Sequence, residues 1–137
     1  MNIFLSDKNF LRRMRIKNII KKVLSEKNYK WNKLITSTNL RQLIEQISLS
    51  STRNIYFISV DLENGEDLKL IEQIHAFDKQ GSLVLFVTHE EKLEVLYQHK
   101  LEVLDYLVQG AQEEEYREKI ASIYDFCFTR WCAGVEK

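Results

Sequence analysis

Proline is absent, and glycine supplies only four of the 137 residues. With so few glycines the chain has no GxGxxG or GxxxxGK[ST] fingerprint, because each needs clustered glycines to bring the backbone against a phosphate. Cysteine is scarcer still: Cys127 and Cys132 are the only two. Five residues apart on an expected helix of about 3.6 residues per turn, they do not face each other well enough for a bridge or a metal clasp. The disulfide-rich class is excluded, and both read as packed or surface thiols of a reducing compartment. No cationic segment followed by a long apolar run opens the chain, and no stretch approaches the ~18 apolar residues of a membrane span. A soluble, cytoplasmic product is expected.

What is present suits one folded domain over residues 1–137. Apolar residues make up 45% of the chain, which excludes the disordered class, and a chain of this size buries roughly two-thirds of its unfolded surface without staples. The formal charge is zero but unevenly placed. Residues 1–50 hold 11 Lys and Arg against 3 Asp and Glu, net +8, while residues 51–137 hold 9 against 17, net −8. The halves should attract, which favours a basic first helix packed beside an acidic last helix over a nucleic-acid patch. Arg12, Arg13, Lys17 and Lys21 are the expected partners of those acids.

Apolar spacing gives the order of elements. Residues 2–5 form a short apolar run stopped by Ser6 and Asp7, followed by Ile16, Ile19, Ile20, Val23 and Leu24 at helical spacing. Residues 31–36 read as a strand and 40–47 as a second helix. The run at 55–58 has no polar alternation and reads as a central strand covered on both faces. A loop with Asn64 and Gly65 leads to a helix over 68–77, a turn at Gly81 and a second continuous strand at 83–87. Residues 91–97 suit a short helix, 103–108 a fifth strand, and 113–131 a closing helix whose first acids suit its positive end.

Five strands alternating with five helices predict a doubly wound parallel sheet with helices on both faces. Such sheets carry their site at the carboxyl ends of the strands. The residues there are Ser6, Asp7 and Lys8 after the first strand, Ser59 and Asp61 after the third, Thr88 and His89 after the fourth, and Gln109 after the fifth.

These residues carry a resemblance. The opening MNIFLSDKNF, the central IYFISVDL and the stretch FVTHEEKLEVLYQHKLEVLDYLVQ resemble the CheY-like receiver domain of bacterial response regulators, nearest to those with a LytTR-type output domain, such as AgrA, ComE and FasA. The resemblance covers nearly the whole chain and implies a flavodoxin-like (βα)5 sheet in strand order 2-1-3-4-5. It also implies a phosphorylation site: an acidic pair that binds Mg²⁺, an aspartate ending the third strand that accepts the phosphoryl group, and a lysine after the fifth strand that holds it. Adjacent carboxylates suit a hard cation, and the cation with an ammonium neutralises the transferred phosphate.

The present residues depart from that pattern. Asp7 matches the first acid, but Lys8 stands at the second, Ser59 at the phosphoacceptor and Gln109 at the lysine. Thr88 matches the switch hydroxyl, and Tyr106 matches the aromatic that couples the pocket to the outer surface. An Asp7–Lys8 pair or a water network is expected in place of a metal, so no cofactor is implied, or Mg²⁺ only weakly through Asp7. Simpler local roles stand beside these: Ser59 as a strand-end cap, Asp61 as the start of a hydrogen-bonded loop, Lys8 as a solvated residue, Thr88 and His89 as helix caps. His75 and His99 lack partners at metal-ligand spacing.

The expected function is therefore that of a pseudo-receiver in two-component signalling, a non-enzymatic module that controls transcription through protein contacts. A homodimer is expected through the face of the fourth helix, fifth strand and fifth helix, with Leu93, Leu96, Tyr97, Tyr106, Tyr116 and Ile123 as candidates. A sensor histidine kinase or another response regulator is the expected further partner, and DNA would be bound only through an output domain outside these residues. Two alternatives stay open: an active receiver phosphorylated on Asp61 with Asp7 helping to hold Mg²⁺, and a small α/β enzyme or ligand-binding domain.

Overall fold

The computed structural model describes residues 1–28, 31, 33–47, 53–88, 94, 96 and 103–135, the side chains of 130–135 excepted. The elements are β1 (Asn2–Ser6), α1 (Phe10–Lys27), β2 (Lys33–Ser37), α2 (Leu40–Gln46), β3 (Asn54–Val60), α3 (Gly65–Phe77), β4 (Ser82–Val87), β5 (Asp105–Val108) and α4 (Glu113–Val135). The short helix expected at 91–97 lies outside the described residues except at 94 and 96, both helical. The strands form one sheet in the order β2-β1-β3-β4-β5, with every neighbouring pair parallel. The doubly wound α/β architecture expected from the sequence is the one observed.

The continuous apolar runs are explained by burial on both faces. Side chains alternate along a strand, so Ile3, Leu5, Ile55, Phe57, Val84 and Phe86 point to one layer with α1 and α4. Phe4, Tyr56, Ile58, Leu83, Leu85 and Val87 point to the other with α2 and α3. Phe57 stacks on Phe86 and meets Tyr124 edge-on, and Tyr116 meets Phe86 edge-on, which ties α4 to the central strands.

Three helices open on an asparagine cap at a strand end. Asn9, Asn39 and Asn64 each accept hydrogen bonds from backbone N–H groups of the first helical turn, satisfying donors that the helix cannot. The caps hold the β1–α1, β2–α2 and β3–α3 connections at the carboxyl edge of the sheet.

α1 and α4 are neighbours, as the charge asymmetry predicts, but through other residues than expected. Lys27 Nζ bonds Asp125 at 2.9 Å and Arg117 bonds Glu26 at 2.9 Å, one pair of each polarity. Arg12 and Arg13 instead turn toward the end of β1. Their place in the first turn of α1 sets them next to Asp7, which takes up both side chains, and among the described residues Lys17 and Lys21 form no ion pair with α4.

The amino edge of the sheet holds a separate polar knot. Tyr56 Oη donates to Asp78 Oδ2 at 2.8 Å, and Asn54 Nδ2 donates to the same oxygen at 2.9 Å. Gly81 lies against this knot: a Cβ there would sit 2.6 Å from Tyr56 Cε2 and 2.8 Å from Asp78 Oδ2. Burial first, and the bond to Asp78 second, push the Tyr56 hydroxyl well above the ordinary tyrosine range, and burial does the same to Tyr124. The folded state therefore keeps both protons after the unfolded chain begins to lose them. The resulting stability is complete below about pH 10 and is lost as pH rises above it. Chemical denaturation is expected to show a midpoint that falls above that pH. Tyr56→Phe is expected to flatten the fall and to cost about 1–2 kcal/mol at neutral pH, since Asp78 loses a donor.

Candidate functional site

Because only three residues, 7–9, separate β1 from α1, the chain must cap the helix and dispose of its polar side chains within that short span. Asp7 sits in it with 1% of its surface exposed, and a buried carboxylate needs full pairing. It has it. Oδ1 accepts from Asn9 N at 2.9 Å and Arg12 Nη2 at 2.8 Å, and Oδ2 accepts from Arg12 Nε at 2.6 Å and Ser59 Oγ at 2.7 Å. The Asp7 carbonyl also accepts from Arg13 Nη1 at 2.8 Å.

The expected Asp7–Lys8 pair is corrected: Lys8 is exposed, and the cation on Asp7 is Arg12. A residue next in sequence points away from its neighbour's buried side chain, whereas one five residues on, in the first turn of α1, reaches back. No acid occupies that first turn, and cations there oppose the positive end of the helix dipole. Asp7 offsets that opposition. The guanidinium in turn is held above its ordinary arginine value by the hydrogen bond to Asp7, with the charge of Asp7 adding to it and partial burial opposing.

Ser59 lies on β3 opposite Phe86 of β4, half-buried, with its hydroxyl donating to Asp7 and so joining β3 to β1. Gln109 follows β5, and its Nε2 donates to Phe86 O at 2.9 Å and Val60 O at 3.4 Å. The amide closes the ends of β3 and β4, a use that an ammonium also allows but that needs no charge. Gly110 adopts φ +84°, a left-handed conformation that favours glycine. Its N–H donates to Tyr116 Oη at 3.2 Å. Thr88 is half-buried at the end of β4, and His89 lies outside the described residues.

Asp61 is exposed and builds the β3–α3 turn. Its carboxylate accepts from Glu63 N at 3.0 Å, its carbonyl accepts from Asn64 N at 3.0 Å, and its N–H donates to Asp67 Oδ2 at 3.3 Å. Tyr106 is half-buried on β5, with Lys119 Nζ 5.8 Å from its ring centroid. The expected dimer face needs correction. Leu96, Tyr116 and Ile123 are 7%, 1% and 3% exposed and belong to the core, because the same helical stripe that looked like a surface packs on the sheet. Leu93 and Tyr97 lie outside the described residues.

A Mg²⁺ ion of the kind the resemblance implies does not fit these residues. Mg²⁺ takes oxygen ligands in a near-octahedral set with concentrated negative charge. Here one carboxylate is present, both its oxygens are engaged by donors, and a guanidinium stands beside it. Among the described residues no group of three His, Cys, Asp or Glu side chains is assembled for a metal.

No protein-family profile matches the sequence, and no curated protein is significantly similar to it. Solved structures do match. The response regulatory domain of MrkE from Klebsiella pneumoniae superposes with a TM-score of 0.67 at 13% identity, covering 91% of this chain and 96% of that one. The isolated receiver domain of RcsB from Salmonella enterica gives 0.59 at 15% identity, over 91% and 88%. This chain has the receiver fold. An adenylate cyclase structure from Rhodopirellula baltica also matches, with a TM-score of 0.59 at 16% identity over 99% and 98%, so the receiver fold by itself leaves the activity open.

Asn9, Arg12, Arg13 and Tyr116 complete the site; the sequence reading passed over Asn9, set the two arginines against the last helix and placed Tyr116 on a dimer face. The available signal was a pair of arginines in a helical first turn directly after a strand-end aspartate. Arg12→Ala leaves a buried carboxylate without its charge partner, and is expected to lower unfolding free energy by about 2–3 kcal/mol. Lys8→Ala is expected to change it by less than about 0.5 kcal/mol. Equilibrium denaturation of the two variants checks both.

Proposed function

We propose that this chain is a pseudo-receiver, a two-component signalling module that acts through protein contacts without an aspartyl-phosphate cycle. The observation that carries the reading is the Arg12 guanidinium closed on both oxygens of Asp7, with the Ser59 hydroxyl as the remaining donor to Oδ2. Receiver phosphorylation uses a carboxylate nucleophile, a divalent cation and an ammonium. At the matching positions stand a hydroxyl, an arginine-paired aspartate and an amide.

Ser59 is a weak nucleophile unless a base takes its proton. Asp7 accepts its hydrogen bond, but both oxygens of that carboxylate are already engaged by the Arg12 guanidinium and the Asn9 N–H. At Gln109 an amide replaces a charged donor, and loss of one such contact to developing charge costs about 3 kcal/mol of transition-state stabilisation. Arg12 supplies within the fold the positive charge that a metal would bring, so the β1, β3 and α1 ends are held together without ligand. The resemblance to LytTR-type regulators supports transcriptional control from the cytoplasm. In that role the module works as a homodimer, with a sensor kinase or a second regulator as partner, and DNA is reached through an output domain.

Intact-mass spectrometry after incubation with acetyl phosphate and Mg²⁺, beside a control receiver that becomes labelled, tests the reading. The expected mass is unchanged. A gain of one phosphate that Asp61→Asn abolishes replaces the reading with an active receiver, and a gain that Ser59→Ala abolishes shows that Ser59 is activated after all.

A further inference from the structure

Of the residues expected to form an interface, Leu96, Tyr116 and Ile123 are core, and among the described residues a cluster of large exposed apolar side chains stands instead on α1. Phe10, Leu11 and Met14 on the first turns of α1 are 62%, 77% and 39% exposed. Further along α1, Lys21 and Lys22 are exposed and make no ion pair among the described residues. Beside α1 runs α4, whose opening Glu113, Glu114, Glu115 and Glu118 are likewise exposed and unpaired among the described residues. The two helices are locked side by side by Lys27–Asp125, Arg117–Glu26 and the Arg15 bond to Ala111 O. One face of the molecule thus shows a basic and apolar stripe next to an acidic one, and the internal bridges leave both stripes with unspent charge.

We propose that this face binds a second copy of the same chain, α1 of one protomer lying on α4 of the other. A twofold interface must be complementary to itself. Two adjacent parallel stripes of opposite charge meet that condition. An axis running along the groove between the helices lays each basic stripe on the partner's acidic stripe, twice over. An axis across the helices would oppose like charges. The pairing gives Lys21 and Lys22 acidic partners that their own chain does not supply, and it covers Leu11 and Met14, which the monomer leaves in water.

An anionic membrane is disfavoured as the occupant because the exposed glutamates of α4 would face it together with the lysines. The surface involves neither Ser59 nor Asp61, so it stands or falls apart from the proposal that phosphorylation is absent.

Sedimentation velocity on the full chain, from micromolar to millimolar concentration, provides the test. Dimer is expected, weakened about tenfold or more by raising ionic strength from 0.1 to 1 M, where the Debye length falls from about 10 to about 3 Å. Lys21→Glu/Lys22→Glu and Glu114→Lys/Glu118→Lys are each expected to be monomeric. An equimolar mixture of the two is expected to dimerise, because both contacts are then restored. All four positions are exposed, and unchanged denaturation midpoints confirm that each variant is folded. A wild type that stays monomeric overturns the proposal, as does a dimer that survives either charge reversal. So does binding to anionic phosphatidylserine vesicles that Lys21→Glu/Lys22→Glu abolishes while the protein stays monomeric.

Discussion

A carboxylate buried at the end of β1 cannot stand alone, and the way it is neutralised shapes everything around it. The cost of leaving a charge unpaired away from water is several kcal/mol, so a cation must come from solution or from the chain. Here it comes from the chain: Arg12 forks onto both oxygens of Asp7. That choice draws the first turn of α1 down on β1, takes up the Ser59 hydroxyl of β3, and places two arginines where the helix dipole alone would reject them. The strand ends are closed by side chains of the same molecule.

The carboxyl edge of the sheet is sealed in the same way further along. Gln109 ties its amide to the carbonyls of Phe86 and Val60, and Tyr116 takes the N–H of Gly110 on its hydroxyl while its ring packs on Phe86. Asp61, which could be imagined as a displaced acceptor, is committed to the turn before α3. Asp7, Ser59, Asp61 and Gln109, which the receiver resemblance would set at the phosphate and metal, each have a structural partner, and this shared property links the separate departures from the pattern.

α1 serves two environments. Its inner stripe of Ile16, Ile19, Ile20, Val23 and Leu24 is buried against the sheet and α4. Its first turn serves Asp7, and its outer side carries apolar and cationic residues with no internal task. The receiver fold constrains the inner side closely and leaves the outer side free to vary, so the outer side is where a signalling module can acquire a partner.

Much of the fold was legible in the chain itself. The unbroken runs at 55–58 and 83–87 require cover on both faces, and that alone implies a parallel sheet between two helical layers. The basic and acidic halves correctly set the first and last helices side by side. The site was legible as a set of positions, since strand ends in such a sheet are known before any coordinates are. The partnerships were not. Hydrogen-bond reach depends on which way a side chain leaves the backbone, and this made Arg12 rather than adjacent Lys8 the cation on Asp7. Helical spacing marks a stripe as apolar without saying whether sheet or solvent lies against it, which is why Tyr116 and Ile123 read as surface and fold as core. The order and burial of the strands follow from local pattern, because apolar area drives them and apolar area is written residue by residue. The pairing of charges was decided only by the tertiary structure, because it depends on distances of a few ångströms between groups that the sequence places as far as 98 residues apart.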